Sequence, residues 1–172
     1  SDSLSLFGWG FNENGELAQN DTNSGYSSPV QVPGTTWAYG SIKQNNYIFS
    51  KNDGTLWAWG KNENGVLAAG LAHDAHRSSP VQIPGTTWAS DSYDKIMGGF
   101  GTTWSIKTDG TLWSWGNNQV GQLGHNNKTQ YSSPVQVPGT TWTSISSGNY
   151  AASQSTFAIK SDGTAWAWGS TT

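Results

Sequence analysis

Thr111-Leu112-Trp113-Ser114-Trp115-Gly116 decides how the rest of the chain is read. It returns as Thr55-Leu56-Trp57-Ala58-Trp59-Gly60 and as Thr164-Ala165-Trp166-Ala167-Trp168-Gly169, and a worn copy, Ser5-Leu6-Phe7-Gly8-Trp9-Gly10, opens the chain. Large and small residues alternate along it, which suits a strand with one bulky and one small face. Its closing glycines stand at 10, 60, 116 and 169. A second marker keeps the same register: the stretch from Ser27 to Trp37, Ser-Ser-Pro-Val-Gln-Val-Pro-Gly-Thr-Thr-Trp, recurs from Ser78 to Trp88 and from Ser132 to Trp142 and varies only at Val32, Ile83 and Val137. Two markers in one register, with a period of roughly 50, indicate a solenoid or a propeller.

Each repeat reads as four short strands. An inner strand follows Gly34, over Thr35 to Ile42. Tyr47 to Ser50, Thr103 to Ile106 and Thr156 to Ile159 come next, each running into an Asp-Gly turn at Asp53-Gly54, Asp109-Gly110 or Asp162-Gly163. Asp-Gly between two strand-like runs is a strong hairpin signal. The hexamer is the other arm of that hairpin. Prolines bound the last segment, Pro-Val-Gln-Val/Ile-Pro, and belong on an outer edge strand, where a missing N–H harms no ladder. The expectation is an all-β fold of propeller-type blades with four antiparallel strands each, about three blades in all. It is a partial propeller, or a segment of a larger or oligomeric one. Residues 1–172 form one repeat domain, with repeats at 1–54, 55–110 and 111–163 and a fourth begun at 164–172.

Composition narrows the function classes. The 172 residues include eleven Trp and 22 Gly, with only 11 % charged residues. A net charge of −3, with seven Lys and the single Arg77, makes a poor phosphate-neutralising surface, so no nucleic-acid partner is expected. There is no cysteine for a disulfide or a thiolate metal site. No run approaches the ~18 apolar residues of a membrane-spanning helix, and no membrane insertion is expected. A chain opening at Ser1 rather than Met is read as a processed product or a piece of something longer.

The third repeat, Asp109-Gly110-Thr111-Leu112-Trp113-Ser114-Trp115-Gly116-Asn117-Asn118-Gln119-Val120-Gly121-Gln122-Leu123-Gly124, resembles the regulator of chromosome condensation repeat. The resemblance covers essentially the whole chain. It implies a propeller, usually of seven blades, in which one blade is closed by both chain ends. The sequence departs from the family at Gly15-Glu16-Leu17-Ala18 and Gly65-Val66-Leu67-Ala68, in place of Gly-Gln-Leu-Gly. Nothing matches the loops on which the founding exchange factor depends, and one Arg cannot build the Trp–Arg dimer network of the photoreceptor relatives. Weakly charged, Thr/Ser/Asn/Gly-rich repeats of this style resemble those of bacterial surface and phage virion proteins.

The chain ends are complementary. It opens with a hexamer strand and an outer strand and finishes with an inner pair and a last hexamer. Partners are therefore expected to be proteins, either further copies of the chain or the rest of a larger one, with a surface glycan as a further candidate.

No catalytic residue, metal or cofactor is assigned. His73 and His76 flank Asp74 in one loop and offer too few ligands for a metal site. Asp53, Asp109 and Asp162 recur in every repeat and read as turn residues. Asp21-Thr22-Asn23-Ser24-Gly25 opens like a calcium loop but lacks the closing acid. Trp9, Trp59, Trp115, Trp168, Trp37, Trp88 and Trp142 recur and are read as packing between blades. The unrepeated aromatics Phe11, Tyr26, Tyr93, Phe100, Tyr131 and Tyr150 are the candidate ligand-binding residues, because recognition concentrates on loops held by a rigid frame. Asn20-Asp21-Thr22 and Asn127-Lys128-Thr129 are glycosylation acceptor patterns. The leading expectation is a non-catalytic structural or binding module for assembly or attachment, extracellular and on a cell or virion surface. An intracellular regulatory interaction propeller, exchange-factor-like, is the alternative. A metal-dependent hydrolase is the remote one.

Overall fold

The computed structural model describes residues 4–68, 70, 75–148 and 155–170. Among the described residues thirteen strands form four antiparallel sheets. The first is a half-blade of β1 (Phe7–Phe11) and β2 (Gly25–Gln31). A complete blade follows, ordered β3 (Trp37–Lys43), β4 (Asn46–Lys51), β5 (Leu56–Gly60), β6 (Arg77–Ile83). The next is β7 (Ile96–Gly98), β8 (Thr102–Ile106), β9 (Leu112–Gly116), β10 (Tyr131–Gln136). The last has three strands, β11 (Trp142–Ser147), β12 (Ser155–Lys160) and β13 (Ala165–Gly169). The all-β reading with about three blades holds. First strands lie side by side: β7 contacts both β3 and β11.

The Gly closing the two middle hexamers has a steric reason. Gly60 and Gly116 take φ of 89° and 100°, and a Cβ there would stand 2.2 Å from the Asn45 carbonyl oxygen and 2.3 Å from that of Gly101. The ladder to the outer strand slips beside each of them, between Ala58 and Gly60 and between Tyr131 and Val135. The hairpin turn is a three-residue loop: Gly54 N–H donates to the Lys51 carbonyl, and Lys51 N–H to that of Thr55, with Gly54 at φ 78°. The inner strand starts later than Thr35, at Trp37. Thr36, Thr87 and Thr141 take φ of 64°, 66° and 67°, unusual for a β-branched residue, and break the strand before it. Their carbonyls accept from Asn52, Thr108 and Ser161 N–H, which ties each blade's first corner to its hairpin turn.

The second Trp of the hexamer joins neighbouring blades. Trp59 and Trp115 are buried, and their indole Nε1–H groups donate to the carbonyls of Glu16 at 2.8 Å and Val66 at 2.7 Å, each in the loop of the preceding repeat. Trp168 makes the same bond to Gln122 at 2.9 Å and is half-buried. Trp37, Trp88 and Trp142 are buried and meet the hexamer tryptophans edge to face. Trp9 departs from the packing expectation. It is 64 % exposed.

Candidate interaction surface

A recurring cluster organises one corner of each blade. The Lys107 ammonium sits 4.8 Å from the Trp88 ring centre and 4.3 Å from that of Trp113. Lys51 lies between Trp37 and Trp57 at 4.6 and 4.5 Å, and Lys160 between Trp142 and Trp166 at 4.7 Å from each. The rings are oriented from behind. Trp113 Nε1–H donates to Thr111 Oγ1 at 2.9 Å, and that hydroxyl donates to Asp109 Oδ1 at 2.7 Å. Trp57-Thr55-Asp53 and Trp166-Thr164-Asp162 repeat the arrangement. Hydrogen bonds from the threonines hold all three carboxyls below the usual carboxylate range. So the turn aspartates serve the hairpin and the ring, and their recurrence has a local structural cause.

A second cluster pins the loop after each hexamer. Asn12, Asn62 and Asn118 are buried, and their Oδ1 atoms accept from the backbone N–H of Leu17, Leu67 and Leu123 at 2.9, 3.0 and 3.0 Å. Neither the Lys clamp nor this Asn staple was among the sequence candidates. Both recur in register, and that recurrence is the signal that would have found them.

Residues 53–90 and 109–152 match the regulator of chromosome condensation (RCC1) repeat. Over 138 residues it is 28 % identical to Protein RCC2 homolog of Xenopus laevis, covering 76 % of this chain and 25 % of that protein. Over 67 residues it is 40 % identical to X-linked retinitis pigmentosa GTPase regulator homolog of Caenorhabditis elegans, covering 37 % of this chain and 4 % of that protein. In fold it resembles a chain of the crystal structure of Kap60 bound to yeast RCC1 (Prp20), with a TM-score of 0.77 at 18 % identity, covering 96 % of this chain and 40 % of that one. The chain thus spans less than half the length of each of these relatives.

Against the repeated frame the loop aromatics separate. Phe11 is 50 % exposed on β1. Tyr26, across the same ladder, is tied down: its hydroxyl donates to Asp21 Oδ2 at 2.6 Å. That bond, with those from Asn12 and Asn23, occupies the Asp21 carboxylate and holds it below its usual range. Tyr131 stands edge-on to His125 at 5.3 Å and accepts from Asn127 Nδ2 at 3.2 Å. Phe100 is 37 % exposed between β7 and β8. Tyr150 lies outside the described residues, as do His73 and Asp74. His76 Nδ1 accepts from Asn62 N–H at 3.1 Å. Asn20 is exposed, as is Asn127.

Tyr93 stands apart. It is 72 % exposed on a single 3-10 turn, Tyr93–Lys95, and is braced edge-on by Tyr39 with ring centres 4.7 Å apart. Among the described residues the turn occurs only in the second repeat, where Ser90 to Lys95 interrupts the inner strand, and it rests on β3 and β11 of the two flanking blades. Beside it a groove of about 390 Å³ runs between the third and fourth blades, lined by Asp91, Lys95, Lys107, Asp109, Thr141 and Ser161 among others. The described aromatics therefore do not converge on one pocket; Tyr93 stands outside the lining of the groove, to which Asp91 and Lys95 on either side of it contribute.

One pairing resembles a nucleophile and base. Ser114 Oγ is 2.9 Å from His125 Nε2, but it donates its proton to the Leu123 carbonyl at 2.8 Å and is fully buried. His125 therefore donates to Ser114, and burial pushes its own pKa down. The pair fastens the loop to β9. Among the described residues no three His, Cys, Asp or Glu side chains gather as metal ligands.

Proposed function

We propose that the chain is a non-catalytic protein-interaction module, the RCC1-repeat part of a regulatory protein, which contacts its partner through Tyr93 and the groove beside it. The observation that carries this reading is the division of labour among the aromatics. The recurring tryptophans Trp37, Trp59, Trp88, Trp115 and Trp142 are buried in the frame, while Tyr93 is unrepeated, 72 % exposed and braced edge-on by Tyr39. A braced, exposed Tyr makes a good interface anchor, because little side-chain entropy is lost when it is covered.

The relatives favour the regulatory reading over surface attachment. One is named as a GTPase regulator homolog, and the yeast RCC1 structure holds a protein partner, Kap60. Attachment at an extracellular, cell or virion surface, with or without a glycan, stands on composition alone. Binding of the chain to a panel of small GTPases and Kap60-type proteins, by biolayer interferometry, tests the proposal. One saturable partner should weaken about tenfold with Tyr93→Ala at unchanged melting temperature. Absence of any partner, or a partner indifferent to Tyr93→Ala, removes the reading. Binding only to a glycan array would restore surface attachment.

A further inference from the structure

The described tyrosines differ in what a modifying enzyme could reach. Tyr26, Tyr39, Tyr47 and Tyr131 lie in β2, β3, β4 and β10. The Tyr26 hydroxyl donates to Asp21, and that of Tyr131 accepts from Asn127. Tyr39 is half-buried, with its backbone N–H and carbonyl both bonded to Ser50 Oγ. Tyr47 stands in the ladder between Ile42 and Trp59 and stacks on the Trp59 ring. Tyr93 differs from all four. It is 72 % exposed, and its hydroxyl has no hydrogen-bond partner among the described residues.

Its backbone is free as well. In the two flanking blades the first strand starts at the corner tryptophan itself, Trp37 or Trp142. In the third blade the pairing with β8 stops at Trp88 and Ala89 and resumes only at Ile96. Between them Ser90-Asp91-Ser92-Tyr93-Asp94-Lys95 pairs with no strand. Its one turn is closed by a bond of 3.4 Å from Lys95 N–H to the Ser92 carbonyl and by another from Ile96 N–H to that of Tyr93. Insertions into a regular repeat are where repeat proteins carry individual contacts. This one is acidic around its ring: Asp91 and Asp94 are exposed, and the single ion pair among the described residues is Lys61–Glu63, so both carboxylates are unpaired.

We infer that Tyr93 is a phosphorylation site and that its phosphorylation switches off the contact made through this ring. The switch rests on the proposed partner contact; the site itself does not. A tyrosine kinase and ATP supply the group. The Tyr93 phenol oxygen forms a bond to the γ-phosphorus as the bond from that phosphorus to the bridging oxygen breaks. ADP leaves, and the phenol proton passes to the base of the kinase. Drawing any of the four strand tyrosines into a kinase cleft would break a ladder, whereas presenting Tyr93 opens one short turn. Asp91 and Asp94 favour encounter with a basic cleft. The product carries a charge of about −1.5 to −2 at neutral pH. Set between Asp91 and Asp94, it adds like charge to the ring that the partner must cover, and desolvating it opposes the contact.

The full chain, incubated with ATP and the catalytic domain of a tyrosine kinase selective for acidic flanks, should gain one phosphoryl group by intact mass. Peptide mapping should place it on Tyr93. Tyr93→Phe should gain none, and Asp91→Asn/Asp94→Asn should be modified several-fold more slowly. In biolayer interferometry the phosphorylated chain should bind its small GTPase or Kap60-type protein at least about tenfold more weakly than the parent, and phosphatase treatment should restore the affinity. Phosphate spread over several tyrosines, or absent from Tyr93, overturns the site. A phosphorylated chain that binds as tightly as the parent, where Tyr93→Ala does weaken binding, overturns the switch and leaves the partner reading standing. A partner indifferent to Tyr93→Ala removes that reading and the switch together, while the mass measurement still decides the site.

Discussion

The ammonium of Lys107 rests 4.3 Å from the centre of the Trp113 ring, with Trp88 closing over it from the other side at 4.8 Å. Each such contact contributes about 0.5–1 kcal/mol at an exposed site and more when partly desolvated. Lys107→Met keeps most of the aliphatic stem and loses the charge. It should lower unfolding free energy by about 1–2 kcal/mol, while Lys107→Arg should recover most of it. Urea unfolding followed by Trp fluorescence measures both.

Two buried tryptophans of one blade should respond differently to the same change. Trp115→Phe removes the 2.7 Å bond to the Val66 carbonyl, leaving it the longer one from Thr103 Oγ1 at 3.4 Å, and opens a void, for a cost of about 2–4 kcal/mol. The Trp88 indole N–H is buried with no acceptor, so Trp88→Phe loses volume but no hydrogen bond and should cost about 1 kcal/mol less. Trp9→Phe, on an exposed ring, should stay within about 0.5 kcal/mol of the parent. Thermal and urea unfolding of the three variants gives the order.

Gly116→Ala should abolish folding or cost more than about 3 kcal/mol, since the new methyl would stand 2.3 Å from a backbone oxygen. Gly163→Ala keeps the positive φ of 83° but meets nothing within 4 Å, and should cost only about 1–2 kcal/mol. Circular dichroism melts separate a clash from backbone strain alone.

Acid should weaken the fold in two windows. The His125 pKa is pushed down by burial, so below its ordinary value of 6.5 the unfolded chain takes a proton that the fold resists. Stability is therefore full above 6.5 and falls as pH drops below it. Asp53, Asp109 and Asp162 have carboxyls held below 3.8 by their threonines, so their contribution is present above 3.8 and lost as pH falls through the lower folded values. Stability against pH should show both declines, and His125→Gln should flatten the stretch from 7 to 5 while leaving the lower one.

The strands were legible because their signals are local. Alternation in Leu112-Trp113-Ser114-Trp115, the Asp109-Gly110 turn and the prolines around Val135 each act within a few residues. The Lys clamp was not legible. Lys51 reaches Trp37 only because Thr36 bends the chain at φ 64° and brings two strand ends together. Nor could the hexamer alone tell Trp9 from Trp59, whose burial depends on a loop supplied by the preceding repeat. Tyr93 was one of six unrepeated aromatics with equal standing. Its distinction comes from Tyr39, a residue 54 positions away that braces it across two blades.

The central claim is that one strand pattern is used four times and that, among the described residues, its last use has no strand on its outer side. Residue-resolved amide hydrogen exchange in dilute, monomeric solution tests it most directly. Trp166 and Trp168 should be protected by β12, and Ala58 and Ser114 by the strands beside them, whereas Ala167 should exchange at close to the unprotected rate. Protection of Ala167 equal to that of Ser114 in the monomer, or free exchange at Ser114, would contradict it.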